Sequence, residues 1–199
     1  ALPAPEQRQP AQAPAPRGLL RLAAREDVIA PAVLNAVGHF VLMAVPYGFI
    51  ALRGQEVGAG SAVVSNLTVV HLAAFTPSVL LATVLVKRYP LRPLLIASFA
   101  AIALGALCGA GPSVPWLIAA QIFVALGYGV SYPILLGMSI QKVDGRERTT
   151  AMGIHQSVYS LGMFAGPWLC GILARSLGLP RMFAITAAGT LVAGVAGAL

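Results

Sequence analysis

Three histidines, His39, His71 and His155, lie in long uncharged stretches of the chain, each with hydroxyl or amide side chains at helical spacing around it. Asn35 and His39 are four residues apart, and Thr68, His71 and Ser78 share one stripe of a second helix. Gln121, Tyr128 and Tyr132 form a third stripe, and His155, Tyr159, Gly162 and Gly166 a fourth, because residues three, four or seven apart face the same way. Two chemistries suit this set. An imidazole titrates near physiological pH and passes a proton through either nitrogen, which would make a relay. A neutral imidazole beside phenols and amides would instead hydrogen-bond a polar solute.

The elements carrying these residues are set by composition. Of 199 residues, 58% are hydrophobic and 10% charged, with mean hydropathy +0.82, far outside the range of a soluble domain. Uncharged runs of about 20 residues, the length that crosses a bilayer as a helix, recur along most of the chain. Six spans are predicted, at residues 28–52, 62–86, 93–111, 114–140, 150–174 and 180–199. The fold class is therefore all-α and polytopic in a membrane. Residues 1–27 precede the spans as a Pro/Ala-rich linker, and Gly18 to Asp27 has the Leu/Arg mixture of a short amphipathic helix.

A net charge of +7 does not indicate nucleic acid, because the basic residues fall in short linkers rather than on one water-exposed face. Ten of them, including Lys87, Arg88, Arg92, Lys142, Arg146 and Arg148, fall on one side of the six-span plan, and only Arg53, Arg175 and Arg181 on the other. By the positive-inside rule the N-terminal segment is cytoplasmic, in a membrane of the bacterial inner (plasma) type. Cys108 and Cys170 sit singly in apolar runs without C-x-x-C or a ligand cluster, so no disulfide, metal site or cofactor is expected.

Polar residues are costly in hydrocarbon and mark interior or water-lined faces. They crowd the first, second, fourth and fifth spans and spare the third and sixth, a polar, polar, bland pattern repeated twice. That repetition points to two three-helix units, arranged as the inverted repeats of secondary transporters, with the third helix of each toward lipid. The expected substrate-pathway residues are Asn35, His39, His71, Gln121, Tyr128, Tyr132, His155 and Tyr159.

Two motifs and the span plan resemble one half of a major facilitator superfamily transporter. The stretch "LVKRYPLRPLL", Leu85 to Leu95, is similar to the family's loop motif G-x-L-x-D-R-x-G-R-R, with Arg88 and Arg92 matching, Lys87 in place of the Asp and Pro90 in place of the Gly. The stretch "GIHQSVYSLGMFAGPWLCG" resembles the antiporter motif G-x8-G-x3-G-P-x2-G-G, with Gly153, Gly162, Gly166, Pro167 and Gly171 in register and Cys170 replacing one Gly. The charged loop entering that span, with Arg148, is likewise family-like. The decayed loop motif, and Gln121 near the place of a family Arg, are similar to the C-terminal half.

The resemblance implies alternating-access transport of a small organic solute or drug, linked to protons or another gradient, and no enzyme activity. It also implies an N-terminal six-helix half of the same polypeptide as partner. On this reading the Gly-Pro stretch of the fifth span is a packing and hinge surface against that half. Two other readings stand beside it. Gly105 and Gly109, spaced G-x3-G, could pack a homodimer or assembly partner. Ser131 with His155 could form the nucleophile and base of an intramembrane serine protease.

Overall fold

The computed structural model describes residues 16–198, and among them there is no strand. The Pro-rich linker, apart from its last residues, lies outside the described residues. The chain forms α1 (Pro16–Ala23), α2 (Glu26–Ala44), a π-helical segment (Val45–Phe49), α3 (Ile50–Glu56), α4 (Ser61–Arg88), α5 (Leu91–Cys108), α6 (Val114–Gln141), α7 (Arg148–Leu177) and α8 (Leu179–Ala198). Residues Glu26–Glu56 run as one continuous helix through the π segment, giving six helices long and apolar enough to cross a membrane. Hydrocarbon offers backbone N–H and C=O groups no partner, so helices are the form in which such runs can span it. The protein is an all-α polytopic membrane protein.

The six spans alternate in direction. The α4–α5 and α6–α7 connections lie at the end of the bundle that carries α1, and the α3–α4, α5–α6 and α7–α8 connections lie at the opposite end. The first span packs on the fifth (α2 on α7), and the fourth packs on the second (α6 on α4). These two pairings exchange when the first three spans are swapped with the last three, as an inverted repeat requires. The first and fourth spans meet at the centre, and α5 closes the back of the bundle against α6 and α8.

Small residues permit the tightest crossings. A Cβ at Gly162 would collide with the Ala36 carbonyl oxygen, and one at Gly166 with that of Phe40, so α7 lies on the backbone of α2. These glycines are spent inside the bundle, which corrects the expectation that they face an absent half. Gly171 merely touches the Phe49 ring at 3.6 Å from its would-be Cβ, and Gly153 meets nothing within 4 Å. Pro167 does not divide its helix, since α7 is continuous from Arg148 to Leu177. Departure from α geometry occurs instead at Val45–Phe49, where Pro46 lacks an N–H to donate.

Gly105 and Gly109 are also committed internally, the first against Val124 and the Ala120 carbonyl of α6, the second against Phe183 of α8. Neither glycine is free to serve as the expected packing face toward another copy. Enclosure also differs from the polar and bland pattern, for α4 and α7 are the least enclosed spans, and α5 and α8 are more enclosed. The reason is packing order: α5 is held by both α6 and α8, whereas α4 and α7 each rest mainly on one partner. Leu80 on α4 and Leu161, Phe164 and Trp168 on α7 point outward in consequence.

The short helix α1 ends at Ala23 and turns its Leu22 onto Val28, Val143 and Ala151, so it rests on protein. Just beyond it, Arg25 grips Asp27 with two hydrogen bonds, at 3.0 and 2.7 Å, and donates a third to the Lys142 carbonyl at 2.9 Å. The start of the first span is thereby tied to the α6–α7 loop.

The α2–α7 crossing yields a stability prediction. Gly162→Val or Gly166→Val forces two backbones apart, an overpacking cost of about 1–3 kcal/mol. It should lower the detergent melting temperature of the full-length protein. Gly153→Ala, into open space, should leave the melt unchanged, and equal melts for all three would contradict the close crossing.

Candidate functional site

Side chains of an α-helix tilt toward its N-terminus, and this tilt brings the polar residues of four spans together between α2, α4, α6 and α7. Near the α1 end, His155 of α7 meets Asn35 Nδ2 at 2.8 Å through Nε2 and Ser139 Oγ at 2.7 Å through Nδ1. Ser139 Oγ also lies 3.1 Å from the Val28 carbonyl oxygen. One proton assignment satisfies all three contacts: Ser139 donates to Val28, His155 Nδ1–H donates to Ser139, and Asn35 donates to the bare Nε2. His155 is then a neutral imidazole with both nitrogens used. Asn35 Oδ1 remains buried without a partner.

One turn along α2, His39 folds back so that Nδ1 lies 3.1 Å from the Asn35 carbonyl oxygen, while Tyr128 Oη lies 2.7 Å from Nε2. A neutral ring, donating from Nδ1 and accepting from the phenol, meets both contacts. Tyr159 stacks on this imidazole with 3.8 Å between centroids and 2° between planes. Toward the opposite end, His71 Nδ1 lies 3.2 Å from the Gln121 carbonyl oxygen. The Gln121 amide donates to the Pro46 carbonyl at 3.4 Å, and its Oε1 has no partner.

The rings form one chain of contacts through the bundle. His155 packs edge-on to Tyr159, Tyr159 stacks on His39, His39 meets Tyr128, and Tyr128 reaches Phe75, His71 and Tyr47 in turn. Tyr132 joins laterally, 5.6 Å from Tyr128 and 5.8 Å from His39. All eight residues expected to form a pathway belong to this network. Asn35, His39, His71, Gln121, Tyr128 and His155 are buried, whereas Tyr132 and Tyr159 are half-buried and Tyr47 is exposed.

Several participants were not expected from the sequence, among them Phe75, four residues beyond His71 on α4. Ser139 lies seven residues beyond Tyr132 and so continues the α6 stripe, a signal present in the spacing. Tyr47 and the Pro46 carbonyl enter through the π segment, which spacing does not reveal. Thr68 and Asn66, though polar, are outside the network: Asn66 is exposed and Thr68 half-buried.

The protease pairing does not form. Ser131 Oγ bonds the Tyr128 carbonyl at 3.4 Å, and the hydroxyl beside His155 belongs to Ser139, whose proton is directed to Val28. Among the described residues no cluster of His, Cys, Asp and Glu could hold a metal. At the α1 end, Arg88 and Arg92 are exposed around the α4–α5 turn, and Arg148 donates to the Val143 carbonyl at 3.3 Å.

A family model of the Major Facilitator Superfamily matches residues 32–199. The chain belongs to that superfamily. Its members are membrane transporters, and the match spans all six long helices, entering inside α2. No curated protein matches the chain significantly. The network lies inside the bundle, among its first, second, fourth and fifth spans.

Removing one member of the network leaves buried partners unsatisfied, at about 1–3 kcal/mol each. Asn35→Ala and His155→Ala should each lower the melting temperature of the full-length transporter in detergent. The double variant should lose less than the sum by about 0.5–3 kcal/mol. Strict additivity would show that the Asn35–His155 bond is not made.

Proposed function

We propose that this chain is the C-terminal six-helix half of a twelve-helix secondary transporter. It carries a small organic solute by alternating access and couples that movement to protons. The observation that carries this reading is the ring network, buried at its core and open at Tyr132, Tyr159 and Tyr47. Phenol and imidazole edges offer a solute donors, acceptors and flat apolar faces together.

The partner half is the natural cover for the outward faces of α4 and α7. These are equivalent helices of the two repeats and the least enclosed spans of the six. On this reading the membrane is a bacterial inner one, and the charge distribution supports a cytoplasmic α1 end, since Lys87, Arg88, Arg92, Lys142, Arg146 and Arg148 gather there. The glycines of the antiporter-like stretch in α7 serve packing within this bundle, so direction of transport rests on flux measurements.

His155 is the coupling residue on this reading. Protonation gives Nε2 a hydrogen and removes its ability to accept from Asn35. Half a turn of the Asn35 amide presents the unpartnered Oδ1 to that new donor. Of the titratable groups, Tyr159 packs edge-on to it and His39 follows, stacked on Tyr159, with no interior carboxylate among the described residues.

Full-length protein in proteoliposomes tests both parts. Tyr132→Ala and Tyr159→Ala should each slow solute flux at least tenfold, about 1.4 kcal/mol. Wild-type flux in both would remove the proposed solute path. Asn35→Leu, which cannot exchange donor for acceptor, should abolish accumulation driven by a pH gradient while leaving downhill exchange. Accumulation equal to wild type would remove the proton role.

A further inference from the structure

A groove of about 600 Å³ opens between α2, α7 and α8, on the side of α7 that the ring network does not use. None of the eight pathway residues lines it. It exists because the two repeats differ. The α5–α6 junction is closed tightly, with Gly105 and Gly127 letting the backbones meet, while the equivalent junction of α8 with α2 touches only lightly.

The lining is apolar, and its two hydroxyls are already occupied. Thr190 Oγ1 donates to the Thr186 carbonyl at 2.7 Å, and Thr186 Oγ1 contacts Cys170 Sγ at 3.4 Å. A polar solute would find no partner there. From Gly162 to Leu173 the groove follows α7 for about 16 Å at 1.5 Å per residue, close to one leaflet of a hydrocarbon core about 30 Å thick.

Two cations follow in register at its end opposite α1. Arg175 lies one helical turn beyond Ile172 on α7, and Arg181 one turn before Ile185 on α8, with the α7–α8 turn at Gly178 (φ +83°) between them. Both are exposed and make no ion pair among the described residues. The third cation of that end, Arg53, is already bound to Glu56 at 2.8 Å and to the Ala110 and Gly111 carbonyls. Cations at this end run against the charge bias of the chain, which makes two unpaired ones above a greasy slot a matched pair of features.

We propose that the groove holds one acyl chain of an anionic phospholipid whose phosphate is bound by Arg175 and Arg181. The slot supplies length and apolar lining, and the arginines supply the forked donors that suit a phosphate. The site is separate from the solute path, so its occupancy is independent of which solute is carried.

Native mass spectrometry of the full-length protein tests this, with dioleoylphosphatidylglycerol and dioleoylphosphatidylcholine offered in equal amounts. Wild type should retain the anionic lipid preferentially. Arg175→Gln with Arg181→Gln should reduce that retention at least tenfold. Gly189→Trp should do the same by filling the slot, since a Cβ at Gly189 meets nothing within 4 Å. Its melting temperature in lipid-free detergent should match wild type, which separates blocking from misfolding.

Equal retention of the two lipids, or undiminished retention in either variant, would overturn the proposal. So would displacement of the lipid by inorganic phosphate alone, which would mark a soluble anion site.

Discussion

The laying of α7 on α2 through Gly162 and Gly166 governs the interior. With no side chain between the two backbones at Ala36 and Phe40, the helices come near enough for Tyr159 to stack on His39 and for His155 to bond Asn35. Any larger residue at those glycines would move the imidazole of His155 away from both its amide and its serine. The network is thus a consequence of backbone contact, and the polar side chains alone could not draw the helices together. Interhelical hydrogen bonds in membranes average only about 0.6 kcal/mol, because the separated helices find other partners.

The same rule works on the other repeat with different residues. There α6 meets α4 at Gly129, whose Cβ would strike Ser78 and the Phe75 carbonyl. Each repeat therefore contributes one close crossing to the central faces, and the ring chain runs between the two crossings. The symmetry ends at the outer helices, where α5 is locked to α6 and α8 touches α2 only lightly. A fold built of two copies can in this way keep its centre regular while leaving one flank open.

Much of this was legible in the residues because helices impose a 3.6-residue period on anything that must face inward. The six spans follow from the length of the apolar runs and the four polar stripes from spacing, and Ser139, seven residues beyond Tyr132, continues the α6 stripe. Glycine is harder to read. Gly105, Gly109, Gly162 and Gly166 announce a close approach, but their spacing does not say which helix approaches, and each is spent on a neighbour in the same bundle. Proline misleads in the same way. Pro167 leaves α7 whole while Pro46 sits in a π segment, because whether a missing N–H distorts a helix depends on what surrounds it. The enclosure of α5 over α4 is a matter of how many partners a helix has, which no local pattern records.

Two buried amides hold unpartnered oxygens at the centre of the bundle. Asn35 in the first span and Gln121 in the fourth occupy equivalent helices of the repeats, and each uses its N–H to bind a neighbour while its oxygen is unpartnered. A buried acceptor without a donor costs about 1–3 kcal/mol, a large fraction of the marginal stability of any fold. Apolar residues of similar size would avoid that cost and pack the same crossings. Both oxygens stand in the two helices that meet at the centre of the bundle, so the cost falls on that one pair of helices.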